Sequence, residues 1–288
     1  MTSHLQQTIK QPVTIKGIGL HSGAEVTMVL KPAETDSGII FRRIDLSPAA
    51  DIKITPFNIT EAVMCTLLVH PDNQKVSVST IEHLMSALCV FKIDNLIIEL
   101  DAAELPVMDG SSAPFVDFLE NTGIQQQDKP RKIIKVLKPV KVQEDDKFAE
   151  VTPSQHTHYR FEIKWDHPVI AKTPHVAEFS GQKQEYIDHI CQARTFGFVK
   201  QLDYLHANNL AKGASLDNAV GITDNGVANK DGLRYPDEFV KHKLLDAIGD
   251  FYVGGAIIGY FNCYKSGHTL NNKLLRTLYQ DKSAWCYL

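Results

Sequence analysis

The sequence predicts an α+β protein of two related halves, on three observations. Strand-like runs come first and helices after them, the order expected of that class. The series of strands, helix, strand, helix occurs twice along the 288 residues. A histidine also recurs at a similar place: His83 lies 14 residues before Ile97-Ile98, and His242 lies 15 before Ile257-Ile258. Such an echo points to an internal duplication. It would set the two histidines on equivalent helices, facing each other across an interface of the kind where sites commonly form.

The first half, taken as residues 1–127, opens with strand-like "QPVTIKGIGL", "AEVTMVLKPA" and "GIIFRRIDL". "MCTLLVH" and "KVSVS" follow around the turn signal "PDNQ". Helical "TIEHLMSALCVF", strand-like "NLIIELDA" and helical "SAPFVDFLEN" complete it. After the polar stretch "NTGIQQQDKP", the second half, residues 128–288, begins again with "RKIIKVLKPVKVQ", "KFAEVTP" and "YRFEIKW". It closes on "VKHKLLDAIGDF", "GAIIGYFNCY" and "TLNNKLLRTLYQ", once more helix, strand, helix. Residues 183–222 have no counterpart in the first half and read as an insert, with helical "KQEYIDHICQARTF" and "KQLDYLHANNLAKG".

With 43% hydrophobic and 22% charged residues the chain can bury a sizeable core, in two compact units more than one. A formal charge of -4 and a pI near 6.3 give no general reason to expect nucleic acid or an anionic membrane as the main partner. Cys65, Cys89, Cys191, Cys263 and Cys286 are odd in number and form no C-x-x-C pair, which fits reduced thiols serving mostly as core fillers. The stretch "MTSHLQQTIKQ" lacks the apolar centre of a signal peptide, and no segment approaches the ~18 apolar residues of a membrane span. A cytosolic location is the expectation.

The segment "FVKHKLLDAIGD", residues 239–250, bears on chemistry. At about 100° per residue His242, Asp246 and Asp250 share a narrow arc with Lys243 at its edge, while Val240, Leu244, Leu245, Ile248 and Phe251 fill most of the other side. Solvated faces more often use Glu and Lys, yet most amphipathic helices simply have a wet side. In "STIEHLMSAL", Ser79 and Glu82 fit a capping box, so Glu82 has a structural alternative. His83 would sit in the first helical turn, where the helix dipole keeps imidazole neutral, as metal binding requires.

Together His83, His242 and Asp246 make a set of three. Catalytic zinc usually has three N or O ligands and an open position, whereas structural zinc is closed by four ligands that commonly include cysteine. Glu82 could then deprotonate a water acidified by the ion, the logic of a Glu-assisted zinc hydrolase without H-E-x-x-H. Asp250 is free to charge another group, and the candidate is His268 in "YKSGH", which a carboxylate would hold cationic for oxyanion stabilisation or leaving-group protonation. The two could equally be an exposed pair of no consequence.

Other motifs are weaker. "GIGLHSG" has Ser22 where a third glycine would complete G-x-G-x-x-G and does not open a helix, which argues against a dinucleotide site. "MDGSSAPF" reads as a turn and helix start with Asp109-Gly110 structural, and His156, His158, His167, His175 and His206 read as surface or loop residues.

In this order, "GIGLHSG", "STIEHLMSAL", "MDGSSAPF", "ARTFGF", "HKLLDAIGD" and "YKSGH" closely resemble the UDP-3-O-acyl-N-acetylglucosamine deacetylase family, from about residue 10 to the last few residues. The resemblance implies a cytosolic zinc amidase of the committed step of lipid A synthesis, with two α+β sandwich domains and the site between them. It implies zinc on His83, His242 and Asp246, with Fe2+ as an alternative ion, and Glu82 as general base. His268, oriented by Asp250, becomes the electrostatic stabiliser, and either it or protonated Glu82 delivers the proton to the leaving nitrogen. Thr195 matches a hydroxyl donor to the tetrahedral intermediate, and Lys243 a lysine near the substrate's polar head.

For an acylated UDP-sugar, the resemblance further implies nucleotide contacts from Lys147 and Trp165, the latter an aromatic departure from the Phe of relatives. Phe196 joins the substrate contacts. Phe198, Leu202, Ala211 and Ala219 would line an acyl passage in a β-α-β insert, with Ala214 where some relatives have glycine. A monomer without stable membrane insertion is expected. Another metal hydrolase with the same centre, a non-catalytic binder of acylated nucleotide sugars, and a merely solvated His/Asp face are the competing readings.

Overall fold

The repeat legible in the sequence becomes a repeat of sheets in the computed structural model, which describes residues 5–288. The first five-stranded sheet has the spatial order Val13–Ile18, Glu25–Pro32, Leu96–Leu100, Ile39–Arg43, Ala50–Lys53. The second has Val140–Glu144, Lys147–Thr152, Tyr260–Tyr264, His158–Glu162, Val176–Phe179. In both, the third and fourth strands in that order run parallel and all other neighbours antiparallel. Period-2 alternation builds them: Val26, Met28 and Leu30 point inward from one strand, and Ala149 and Val151 from its counterpart.

Among the described residues six α-helices accompany the sheets: α1 (Glu82–Phe91), α2 (Ala113–Thr122), α3 (Lys183–His189), α4 (Leu202–Ala207), α5 (Glu238–Tyr252) and α6 (His268–Gln280). The helices α1 and α5, which precede the middle strands of the two sheets, α5 with the side-sheet strand Ala256–Ile258 in between, pack against each other between the halves. Every α1 residue except Cys89 is buried, and every α5 residue except Lys241 and Lys243. Gly249 permits the contact, since a Cβ there would lie 2.0 Å from the Glu82 carbonyl oxygen.

Four expectations change. "GAIIGYFNCY" is not one strand: Ala256–Ile258 and Tyr260–Tyr264 separate at Gly259, and the first joins Ile133–Val136 and Trp285–Tyr287 in a side sheet. Ile97-Ile98 and Ile257-Ile258 are therefore not equivalent, and the duplication rests on strand order. The polar "NTGIQQQDKP" contains a strand, Ile124–Pro130, antiparallel to Leu5–Ile9. "KQEYIDHICQARTF" leaves the helix at His189, because the chain beyond it is drawn into tertiary hydrogen bonds described below. "KQLDYLHANNLAKG" is helical only to Ala207, followed by positive φ at Asn209 and Ala211.

The insert is a β-α-β unit, with Phe196–Phe198 parallel to Val220–Ile222 and α4 between them. A small sheet of Ile59–Thr60, Leu67–His70 and Asn73–Ser79 occupies the same chain position in the first half, before α1. The five cysteines are free, three of them buried. No helix among the described residues is long and apolar enough to cross a membrane.

Candidate active site

His83, on the first turn of α1, and His242 and Asp246, one turn apart on α5, meet where the helices pack. They are 4%, 2% and 3% exposed, so the His/Asp face of α5 is not a solvated surface. Asp246 Oδ1 lies 3.5 Å from Nε2 of each histidine and has no hydrogen-bond partner. That spacing is long for an N–H···O bond but close to the ~3.4 Å edge of a tetrahedron with bonds of ~2.1 Å. An orphaned carboxylate oxygen and two imidazole nitrogens thus fit a divalent cation.

Further contacts prepare these ligands. His242 donates from Nδ1 to the Ala193 carbonyl at 3.1 Å, which leaves Nε2 with its lone pair toward Asp246. Burial pulls the His242 pKa down to about 3, so the ring is neutral. Burial opposes ionisation of Asp246, but the positive charge of Lys243 outweighs it and holds the carboxyl well below its ordinary value. Lys243 Nζ donates to Asp246 Oδ2 at 2.8 Å.

Glu82 does not cap its helix, as no side chain caps the α1 N-terminus. Its Oε2 accepts instead from the Thr66 N–H at 3.1 Å, and its Oε1 faces His268 Nε2 at 3.9 Å. Burial raises the Glu82 pKa, offset in part by His268 and His83, which suits a base working near neutrality. His268 opens α6, and its Nδ1 donates to Asp250 Oδ2 at 2.9 Å. Burial acts to lower the His268 pKa, but Asp250 and Glu82 win and raise it to about 9. Asp250 is 3% exposed, which removes the exposed-pair alternative. It also accepts from the Thr66 hydroxyl at 2.5 Å and from Asn271 at 2.8 Å.

Two cavities adjoin this cluster. One of 470 Å³ is lined by His268, Lys243, Lys147 and Trp165, with Lys265, which the sequence reading overlooked, beside them. Another, of 160 Å³ and mostly apolar, gathers Thr195, Phe196, Phe198, Leu202, Ala211, Ala214 and Ala219. Met64 lines both and marks where they meet. Phe196 bridges as well, its ring packing 6.1 Å from His242 and 5.6 Å from Trp165. His167, expected at the surface, is buried and packs on Phe198.

Thr66, Asn271 and Lys265 are the functional-site neighbours that sequence reasoning missed. Thr66 and Asn271 are ordinary residue types without a motif of their own; Lys265 sits inside "YKSGH", where its charge was the only signal.

His21, in the turn after Val13–Ile18, is buried with Nε2 unpartnered. Its backbone N–H and that of Ser22 donate to Glu104 at 2.8 Å each, so this turn is organised around a carboxylate of its own half.

Comparison with known proteins agrees with this geometry. The sequence pattern of the family described as UDP-3-O-acyl N-acetylglycosamine deacetylase matches residues 6–280. A UDP-3-O-acyl-N-acetylglucosamine deacetylase of Francisella tularensis subsp. tularensis (strain WY96-3418) is 61% identical over 283 residues, covering 98% of this chain and 99% of its own. Proteins of the same name from Pseudoalteromonas atlantica and Colwellia psychrerythraea are 48% and 46% identical over 281 residues, covering 97% of this chain and 92% of theirs. With its paired α+β halves and the match running almost from end to end, this chain belongs to the UDP-3-O-acyl N-acetylglycosamine deacetylase family.

Proposed function

We propose that this protein is a zinc-dependent amidase that removes the 2-acetamido acetyl group of UDP-3-O-(3-hydroxyacyl)-N-acetylglucosamine, releasing acetate and a free amine. In this reading it carries out the committed step of lipid A synthesis in the cytosol, as a monomer whose domains, 1–127 and 128–288, hold the substrate at their interface. The observation that carries it is the buried His83, His242, Asp246 cluster with Glu82 and His268 beside it, in a chain with these relatives.

A divalent ion on the three ligands would supply Lewis-acid polarisation of the amide carbonyl and acidify a water. Glu82 takes the proton of the attacking water, its raised pKa matching it to that task. Cationic His268, held by Asp250, lies opposite Glu82, stabilises the developing oxyanion and protonates the leaving nitrogen. Thr195, in the lining of the apolar cavity, contributes a hydroxyl to the same oxyanion.

Lys147, Lys243 and Lys265 set positive charge in the larger cleft for the diphosphate, and Trp165 offers a face to the uracil. The acyl chain enters the smaller cavity past Phe196 and Phe198, where Ala214 limits its room.

The test is acetate release from that substrate, before and after chelation, with zinc restored in stoichiometric amount. Activity lost with the chelator and regained with zinc is the expected result. No acetate under any metal condition would sink the assignment, and competition by UDP separates it from other amide or ester substrates.

A further inference from the structure

The Asp109–Ser112 turn, part of "MDGSSAPF", belongs to the first half yet grips the second at three points. The Gly110 carbonyl accepts from the Thr195 N–H at 2.8 Å, and the Ser112 N–H donates to the Cys191 carbonyl at 2.9 Å. Asp109 Oδ2 accepts from Arg234 Nη1 at 2.7 Å. On its own side the turn reaches a metal-ligand candidate, since the Ser112 hydroxyl donates to the His83 carbonyl at 2.8 Å. Gly110 is required for so close a fit: its φ is +81°, and a Cβ would fall 1.8 Å from the Asn218 carbonyl oxygen.

Arg234 extends the grip. Its Nη1 also donates to the Gln192 carbonyl at 3.1 Å, and its backbone N–H to Glu238 Oε2 at 2.6 Å. Glu238, fully buried at the start of α5, holds Arg194 through Nε at 2.8 Å, Nη2 at 3.1 Å and the backbone N–H at 3.0 Å. The segment 192–195 is therefore pinned at Gln192, Arg194 and Thr195. Between the pins lies Ala193, whose carbonyl orients His242. The side chains of Asp109 and Arg234 are 29% and 31% exposed, and ion pairs that open to water add little to stability. Stability alone gives no reason for joining the halves here.

We propose that Asp109 and Arg234 are positioning residues: their ion pair across the halves fixes segment 192–195, and through it the ring of His242 and the placement of Thr195. For turnover the inference rests on the function proposed above; for metal binding it stands independently. Asp109→Asn is the clean probe, because Asp109 Oδ1, which accepts from the Ser111 N–H and hydroxyl, keeps an oxygen equivalent while Arg234 loses its carboxylate partner across the halves.

The experiment compares wild type, D109N, R234Q and the double variant in the full-length protein. The zinc dissociation constant is read by competition with a chromophoric chelator, alongside kcat, KM and Tm. Zinc affinity is expected to weaken by roughly tenfold, as when a partner of a metal-bound histidine is lost. kcat should fall about as much with KM within twofold, and the double variant should be no worse than either single one, the mark of a pair acting together. Zinc affinity and kcat within twofold of wild type would overturn the proposal even if Tm dropped, as would losses that multiply in the double variant. A wild type that releases no acetate would refute the function and leave the zinc comparison to decide the pair.

Discussion

Among single residues, Glu82 and His268 make the sharpest prediction because their shifts are opposite in use. The proposed mechanism needs Glu82 ionised and His268 protonated. Activity should therefore rise with pH through the elevated Glu82 pKa and fall again as pH passes about 9. D250N removes the strongest charge that raises His268, so burial dominates and the upper limb of the kcat/KM profile should move to lower pH. E82Q should lose about 100-fold or more in kcat while retaining zinc; near-normal turnover would remove Glu82 as base.

The same histidine links pH to stability. Its folded pKa exceeds the ordinary 6.5, so its contribution is complete below 6.5 and is lost as pH rises through about 9. A urea midpoint no lower at pH 9.5 than at pH 6 would contradict this. The His/Asp arc of α5 was legible because helical period alone aligns residues four apart. Thr66 and Asn271 were not, since they reach Asp250 from 184 and 21 residues away and nothing local marks them.

At the scale of elements, the contact between α1 and α5 depends on Gly249. G249A drives a methyl against the Glu82 backbone, which cannot swing aside like a side-chain tip, and should cost about 1–3 kcal/mol or more. Because the displaced atoms carry Glu82 and His83, zinc affinity should fall with Tm; an unchanged Tm would show that the helices are not in such close contact. In the insert, A214G enlarges the apolar cavity. The preferred acyl length should shift upward, each added CH2 being worth about 0.8 kcal/mol if it fits. An unchanged chain-length profile would place the tail elsewhere.

Most helices and strands were readable from period and turn residues. The overrun of α3 into residues 190–196 was not, because Thr195 and Cys191 leave helical geometry for partners in the other half. Gly259 likewise splits what hydrophobicity alone reads as one strand.

For the whole molecule, the three candidate ligand atoms come from both halves, His83 from one and His242 and Asp246 from the other. Zinc at about 100 times its dissociation constant should add ~2.7 kcal/mol to stability. A Tm that rises by several degrees with zinc in wild type but not in H83A checks this; a metal-insensitive Tm would argue against the site. The two-half plan was visible in the sequence as a repeated order of elements, but the matching parallel contact in each sheet was not, since pairing joins strands far apart in the chain.

Helices α1 and α5 are buried on nearly all sides, so the candidate site stands in the part of the protein that opens last. Amide deuterium exchange should be slowest there. A chain caught partway through folding, with either sheet already formed, would be catalytically silent, and the onset of turnover would time the final docking of the halves.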